Sequence, residues 1–206
     1  MFHEVPSEEG KVKLVVMNHV TLDGVMQAPG RADEDTRGGF EHGGWATPKS
    51  DEALGRAMGE HMARGSGLLF GRRTYEDLLG HWNSVPDSPF APALNNTRKF
   101  VASRTLREPL PWPNSTLLGD DVVEAVAALK AEGEGELGIM GSGVLIEALL
   151  AHDLIDEYLL MIHPIVLGSG RRLFPDGSPL TTLELVGSET TTTGVLIATY
   201  ASRRTT

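Results

Sequence analysis

The sequence predicts an α/β protein whose sheet is mostly parallel and closes in an antiparallel pair. Three observations carry that expectation. Short apolar runs alternate with helix-like periodicity from Lys11 to about His152. Two of these runs, Leu68 to Phe70 and Glu136 to Met140, pass directly through a glycine into a helix start. Beyond Asp156, strand patterns follow one another with no helical pattern between them.

Taken in order, residues 1–10 read as a loose tail and residues 11–206 as a single domain. Lys11 to Val20 is the first strand. Val12, Leu14 and Val16 share one face and Val15, Met17 and His19 the other, the pattern of a central strand covered on both sides. Thr21-Leu22-Asp23-Gly24 turns out of it. Gln27 to Trp45 is a long aperiodic loop, and about Gln27 to Gly44 is expected to be a lid, mobile without ligand and ordered over it when bound. Thr47 then caps a helix with Pro48 at its first position. Leu54, Ala57, Met58, His61 and Met62 form its apolar stripe, which makes His61 a core histidine, and Gly65 stops it.

Gly67 to Phe70 is the second strand and Arg72 to Leu79 its helix; residues 81–97 form another long loop. Lys99 to Ser103 is a strand, Pro109 to Pro113 a proline-rich connection, and Thr116 to Leu118 a short strand. Asp121 and Glu124 have capping-box spacing for a helix to Ala131, ended by Gly133. Glu136 to Met140 is the next strand, and its helix runs to His152. Asp156 to Val166 is a long strand containing Pro164, which points to an edge or a bulge, and Asp156-Glu157 reads as its solvated start or a subunit contact. Gly168 to Phe174 is a loop, and Leu183 to Ser188 with Gly194 to Ser202 makes the terminal antiparallel pair.

Composition narrows the function classes. The formal net charge of −10 argues against nucleic acid or an anionic membrane as a partner. No apolar run reaches membrane length, and the amino terminus, acidic and polar after Phe2, lacks the pattern of a secretory signal. Cysteine is absent, which removes disulfides, thiolate nucleophiles and cysteine zinc sites and suits a reducing, cytoplasmic setting. There is no His-Glu-x-x-His, no P-loop and no Gly-x-Ser-x-Gly elbow.

The two strand–glycine–helix corners form the candidate site. At Gly141-Ser142-Gly143-Val144 the glycines allow a sharp turn and close approach to the backbone, and Ser142 has the character of an N-cap. The unpaired N–H groups of a helix start suit a phosphate. At Gly71-Arg72-Arg73-Thr74 two arginines occupy a first helical turn, where they oppose the helix dipole. They make sense beside a polyanion, because guanidinium forks match phosphate oxygens. Read singly, one corner is an ordinary tight turn and the other a pair of solvated arginines; together they indicate two phosphate contacts on one ligand. His163 is read first as a histidine satisfied within the sheet and second as a group facing a substrate. Trp45 and Trp82 sit in loops, lining a pocket or fixing the loop.

With Thr21-Leu22-Asp23-Gly24, Gly71-Arg72-Arg73-Thr74, Ser103-Arg104-Thr105, Gly141-Ser142-Gly143 and Asp156-Glu157 through Pro164-Ile165-Val166-Leu167-Gly168 to Phe174 in this order, the chain resembles the dihydrofolate reductase superfamily. Within it, the chain looks like the reductase domain of bifunctional riboflavin-biosynthesis deaminase–reductases and their stand-alone bacterial relatives. The resemblance runs from about residue 12 to residue 202. It implies a dihydrofolate-reductase-like, three-layer α/β/α fold with a mostly parallel central sheet and an antiparallel C-terminal strand. It also implies NADPH as cofactor. On that basis Gly71, Arg72, Arg73 and Thr74 hold the adenosine 2′-phosphate and pyrophosphate, and Ser103 and Arg104 lie beside the adenosine. Gly141, Ser142, Gly143 and Val144 form the second pyrophosphate turn. Asp23 and Gly24 lie near the nicotinamide, with Asp23 as the candidate acid. Trp45 and Thr47 match a Trp-x-Thr element and, with Met140, are the candidate substrate contacts.

Two positions depart from the family pattern. Riboflavin-pathway reductases usually carry an acid just before the glycine turn, where this chain has Met140. The buried carboxylate of dihydrofolate reductases has its nearest counterparts in Asp51 and Glu52, a few residues out of place. The deaminase half of the family needs a cysteine zinc site, which this chain lacks. The activity implied is NADPH-dependent hydride transfer to a small heterocyclic or sugar-like substrate, resembling 5-amino-6-(5-phosphoribosylamino)uracil reductase of riboflavin biosynthesis. Dihydrofolate or pterin reduction, and a non-catalytic NADPH-binding module, are the alternatives. A homodimer is expected from the resemblance and from Leu159-Leu160-Met161-Ile162, read as an apolar run near a sheet edge.

Overall fold

The structure, a computed structural model, describes residues 11–88 and 90–203; the expected N-terminal tail lies outside them. In chain order the elements are β1 (Lys13–Thr21), α1 (Glu52–Arg64), β2 (Gly65–Gly71), α2 (Arg72–Ser84), α3 (Ala91–Asn96), β3 (Lys99–Ala102) and β4 (Ser115–Leu117). They continue with α4 (Val122–Glu132), β5 (Glu136–Met140), α5 (Gly143–Leu150), β6 (Glu157–His163), β7 (Leu183–Thr190) and β8 (Leu196–Ser202). The strands form one sheet in the order β4-β3-β2-β5-β1-β6-β8-β7. Every pairing is parallel except those of β8, which runs against both β6 and β7. No helix among the described residues is long and apolar enough to cross a membrane.

The alternation along β1 sorts the core into two layers. Val12, Leu14 and Val16 pack with α4 and α5 through Val126, Ile146 and Leu149. Val15 and Met17 face the other way, against α1, α2 and α3 through Leu54, Leu79 and Leu94. Leu14 and Val16 are 0% exposed and Val15 1%, as a strand covered on both faces requires. Each fully buried aliphatic side chain stabilises the fold by about 1.5–3 kcal/mol relative to exposure. Parallel pairing forces each strand to be followed by a crossover, so the C-terminal ends of β1, β2, β3 and β5 all open at one edge of the sheet.

Several boundaries differ from the sequence expectation, each for a local reason. Thr47–Lys49 is a separate 3-10 turn. Helix α1 begins after Asp51, whose carboxylate accepts the Leu54 N–H at 3.1 Å and satisfies the dipole as Thr47 could not. Residues 81–97 are not a loop throughout, because α2 continues to Ser84 and α3 follows. The short α3 is held from outside: the buried Lys99 ammonium donates to the carbonyls of Leu94, Asn95 and Thr97 at its C-terminal end. Strand β6 stops at His163, before Pro164 can interrupt the ladder, and it lies between β1 and β8 rather than at an edge. Its apolar run is therefore covered within one chain, with Leu159 at 2% and Met161 at 0% exposure, so it cannot be the dimer surface. Asp156 is partly buried and Glu157 buried, and they pair with Lys130 and Lys13 rather than standing in solvent. His61 is buried as expected, and its Nδ1 meets Glu136 Oε2 at 3.2 Å.

The long segment after β1 has a small core of its own. Val25, Ala28, Phe40, Trp45 and Ala46 pack together, with Ile165 and Leu167 against them. Gln27, 4% exposed, organises it: its Nε2 donates to the carbonyls of Asp35 and Arg37, and its Oε1 accepts the Arg171 N–H. Gly170, at φ +120°, closes this packing; a Cβ there would lie 2.7 Å from Val25 Cγ1 and 2.8 Å from Phe40 Cε2.

Candidate active site

A cleft of about 2090 Å³ runs along the C-terminal ends of the parallel strands. This is where open α/β sheets bind ligands. Its floor comes from Asn18 and His19 at the end of β1, Gly71 after β2, Ser103 after β3 and Met140 at the end of β5.

The two glycine corners are one structure. Because β2 and β5 are neighbours, the turns that follow them meet. Gly71 N–H donates to Ser142 Oγ at 3.0 Å, and Ser142 N–H donates to Thr74 Oγ1 at 2.9 Å. Ser142 Oγ also donates to the Met140 carbonyl at 2.9 Å. Ser142 stands at the N-cap position of α5 in the left-handed region, φ 54° and ψ 37°, but its hydroxyl does not cap the helix. That corrects the expectation of a serine cap. Helix α2 likewise starts at Gly71 with no side-chain cap. Two uncapped, electropositive helix starts thus open into one cleft. Gly141, at φ +56°, lets the chain pass Thr74: a Cβ would lie 2.9 Å from both Thr74 Oγ1 and Cγ2.

Asn18 holds the same turn from the other side. Its Oδ1 accepts the Gly141 N–H at 2.6 Å and its Nδ2 donates to the Gly141 carbonyl at 3.2 Å. The sequence signal for it is one amide, 4% exposed in the fold, following the apolar run from Leu14 to Met17.

Arg72 and Arg73 both line the cleft but differ in availability. Arg72 Nη1 donates to Glu76 Oε2 at 3.1 Å, one turn on. Arg73 is exposed and has no ion-pair partner among the described residues. Ser103 and Arg104 also line the cleft; the Ser103 hydroxyl accepts the N–H groups of Thr105 and Leu106, and Arg104 is exposed. From the opposite wall Arg31 reaches α2, donating to Asp77 Oδ1 at 2.5 Å. Beside it, burial lifts the Glu34 carboxyl above its ordinary pKa despite hydrogen bonds from the Gly30 and Arg31 N–H groups.

Thr47, Met140, Gly143 and Val144 line the cleft as well, and Thr47 Oγ1 donates to the Gly30 carbonyl at 2.7 Å. Asp23, Gly24 and Trp45 do not line it. The Asp23 carboxylate accepts from Thr21 Oγ1 at 2.6 Å, Gly168 N–H at 2.8 Å and Leu167 N–H at 3.2 Å. The Thr21 hydrogen bond, with the two backbone N–H groups, outweighs desolvation and lowers its pKa to about 2. Asp23 is thereby an ionised anchor for the 165–168 segment, without a proton to give at neutral pH. Gly24 donates to the Thr21 carbonyl and accepts from Leu173. Trp45 is 8% exposed, with Nε1 donating to the Gln27 carbonyl at 2.7 Å, so it fixes the loop. Asp51 lines the cleft as the α1 cap; desolvation pushes its carboxyl up, but hydrogen bonds from Leu54 and Thr192 leave it below the ordinary value.

Comparison with known proteins places these motifs in context. A family model described as the RibD C-terminal domain matches residues 12–197. YyaP, an uncharacterised protein of Bacillus subtilis (strain 168), is 32% identical over 139 residues, which is 65% of this chain and 72% of YyaP. A solved protein of Shewanella sp. PV-4 that carries a riboflavin-biosynthesis name is 28% identical with a TM-score of 0.73, covering 94% of this chain and 100% of that one. The dihydrofolate reductase of Enterococcus faecalis, solved complexed with NADP(H) and RAB-propyl, has the same fold: TM-score 0.57 at 15% identity, over 93% of this chain and 97% of that one.

Proposed function

This chain belongs to the RibD C-terminal domain family, and from that premise we propose that it is an NADPH-dependent reductase acting on a small heterocyclic or sugar-like substrate. The reaction class resembles 5-amino-6-(5-phosphoribosylamino)uracil reduction in riboflavin biosynthesis. The reading takes residues 11–206 as one cytoplasmic reductase domain that pairs as a homodimer through a surface other than β6. The observation that carries it is the junction of Gly71, Thr74 and Ser142, which opens two uncapped helix starts into one cleft.

The residues present fit the cofactor. The first-turn N–H groups of α5 at Gly143 and Val144, freed by the turned-away Ser142 hydroxyl, suit a pyrophosphate. Arg73, with Arg72 beside it, would hold the 2′-phosphate, and Ser103 and Arg104 would flank the adenosine. NADPH, when bound, supplies the hydride. The protein's own part is to bind the two partners, orient them and exclude water. Thr47 and Met140 stand at the substrate side of the cleft. Met140, an apolar side chain where riboflavin-pathway reductases usually carry an acid, favours a substrate portion without a cation there.

A non-catalytic NADPH-binding module is the second reading, favoured by the commitment of both Asp23 and Asp51 as ionised acceptors. Steady-state NADPH oxidation with a panel of pterins, pyrimidines and carbonyl compounds separates the two. Acceleration by any panel member supports the reductase. NADPH binding with no acceleration supports the module.

A further inference from the structure

Asp23 and Asp51 are held as hydrogen-bond acceptors, but the cleft also has an imidazole with an unusual neighbour. Strands β1 and β6 run parallel with Thr21 opposite His163 and His19 opposite Met161, so both histidines rise from the same face of the sheet. His19 Nδ1 lies 2.8 Å from His163 Nε2, with ring centroids 5.0 Å apart. Trp45 packs edge-on against His163 at 5.2 Å and shuts that ring away from water. His163 is 0% exposed, and its Nδ1 is buried with no hydrogen-bond partner among the described residues. His19 is only partly buried and lines the cleft; His163 does not.

Only one hydrogen fits between the two facing nitrogens, so one ring donates and the other accepts. If His19 donated from Nδ1, a neutral His163 would carry its own hydrogen on Nδ1. That would leave a buried N–H with no acceptor, which carries the full desolvation cost. If His163 donates from Nε2, its Nδ1 is a bare lone pair, and under-satisfied acceptors are better tolerated in protein interiors than orphaned N–H groups. His19 must then carry its hydrogen on Nε2. Both rings being neutral is consistent with their surroundings. Burial, then the neighbouring ring, lowers His19 to about 4; burial, then the Lys49 charge on the turn after Trp45, lowers His163 to about 4.

We propose that His163 fixes His19 as the neutral Nε2–H tautomer, so that His19 presents a hydrogen-bond donor to the cleft and selects substrates with a ring nitrogen or carbonyl oxygen as acceptor. A neutral imidazole N–H polarises such an acceptor without needing a proton of its own to lose. The word substrate rests on the reductase reading; the tautomer is a property of the cofactor-free protein.

The test is a long-range 1H–15N correlation spectrum of the full chain labelled with 15N-histidine, between pH 7 and pH 5. The expected pattern is Nε2–H, neutral and unchanging, for both His19 and His163. In His163→Phe the His19 signal should lose that fixed tautomer and show a mixture of Nδ1–H and Nε2–H forms. An Nδ1–H pattern for His19, or either ring charged at pH 7, overturns the proposal whether or not the protein turns over. With any acceptor from the NADPH-oxidation panel, His19→Leu should lower kcat/KM roughly tenfold or more, with NADPH affinity unchanged. His19→Gln, whose amide can donate from a similar place, should recover most of the loss. Equal losses in both variants would overturn the donor role, and failure of every panel member would count against the reductase reading while leaving the tautomer to the spectrum.

Discussion

Ser142 Oγ accepts the Gly71 N–H at 3.0 Å, joining the turn after β5 to the turn after β2. With the Ser142 N–H to Thr74 Oγ1 bond at 2.9 Å, this makes the two glycine corners a single unit. Neither corner can move without the other, so changes at one should be felt as a loss of ligand affinity at both.

Thr74→Val removes the oxygen that accepts Ser142 N–H and keeps the side-chain shape. Losing this partly buried hydrogen bond costs about 1 kcal/mol. For a protein of this size that lowers Tm by roughly 2–4 °C per kcal/mol. NADPH affinity should fall with it. Calorimetry and a cofactor titration on the same sample check both, and an unchanged Tm would remove the junction from the account.

Gly141→Ala meets two obstacles: a left-handed backbone at φ +56° and a Cβ 2.9 Å from Thr74. Strain of this kind costs about 1–3 kcal/mol. The variant should fold with reduced Tm and lose measurable NADPH binding, because the turn clasped by Asn18 must open. Gly55→Ala, at a helical position with nothing within 4 Å, is the contrast: it meets neither obstacle and, by removing a helical glycine, should hold or raise Tm.

Much of this arrangement was legible in the sequence, and the failures share a cause. Gly71, Thr74, Gly141 and Ser142 announced themselves because glycine and hydroxyl residues at strand–helix corners have a local meaning. Their mutual hydrogen bonds did not, since these depend on β2 and β5 being neighbours. The α3 helix was hidden because Lys99, beyond its end, supplies its capping donors. Pro164 suggests an edge strand only if the strand runs through it, and β6 ends one residue earlier, at His163. The family resemblance alone implies Asp23 as an acid. Only its three hydrogen-bond donors reveal it as an anchor.

Asp23→Asn tests that anchor role. The amide would turn an N–H₂ group toward Leu167 or Gly168 N–H, so Tm should drop. No limb of any pH–rate profile between pH 5 and pH 9 should disappear, because the native carboxyl titrates near pH 2. Loss of a limb with unchanged Tm would restore Asp23 as the acid.

The paired histidines make stability depend on pH. Their folded values near 4 lie below the ordinary 6.5, so the unfolded chain binds more protons in that interval. Their contribution is complete above about pH 6.5 and is lost as pH falls toward 4. Tm should therefore fall between pH 7 and pH 5, and less steeply in His19→Gln/His163→Phe. Equal slopes in the double variant and the parent would show that other groups carry the dependence.

The central claim is that the two corners bind NADPH, with Arg73 reading the 2′-phosphate while Glu76 engages Arg72. The most direct measurement is calorimetric titration of the parent and Arg73→Ala with NADPH and with NADH. One charge-assisted contact of about 1.5–3 kcal/mol corresponds to roughly a ten- to hundredfold preference for NADPH. The expected result is that preference in the parent, its loss in Arg73→Ala, and nearly unchanged NADH affinity. Equal affinity of the parent for both cofactors, or no change on removing Arg73, would contradict it.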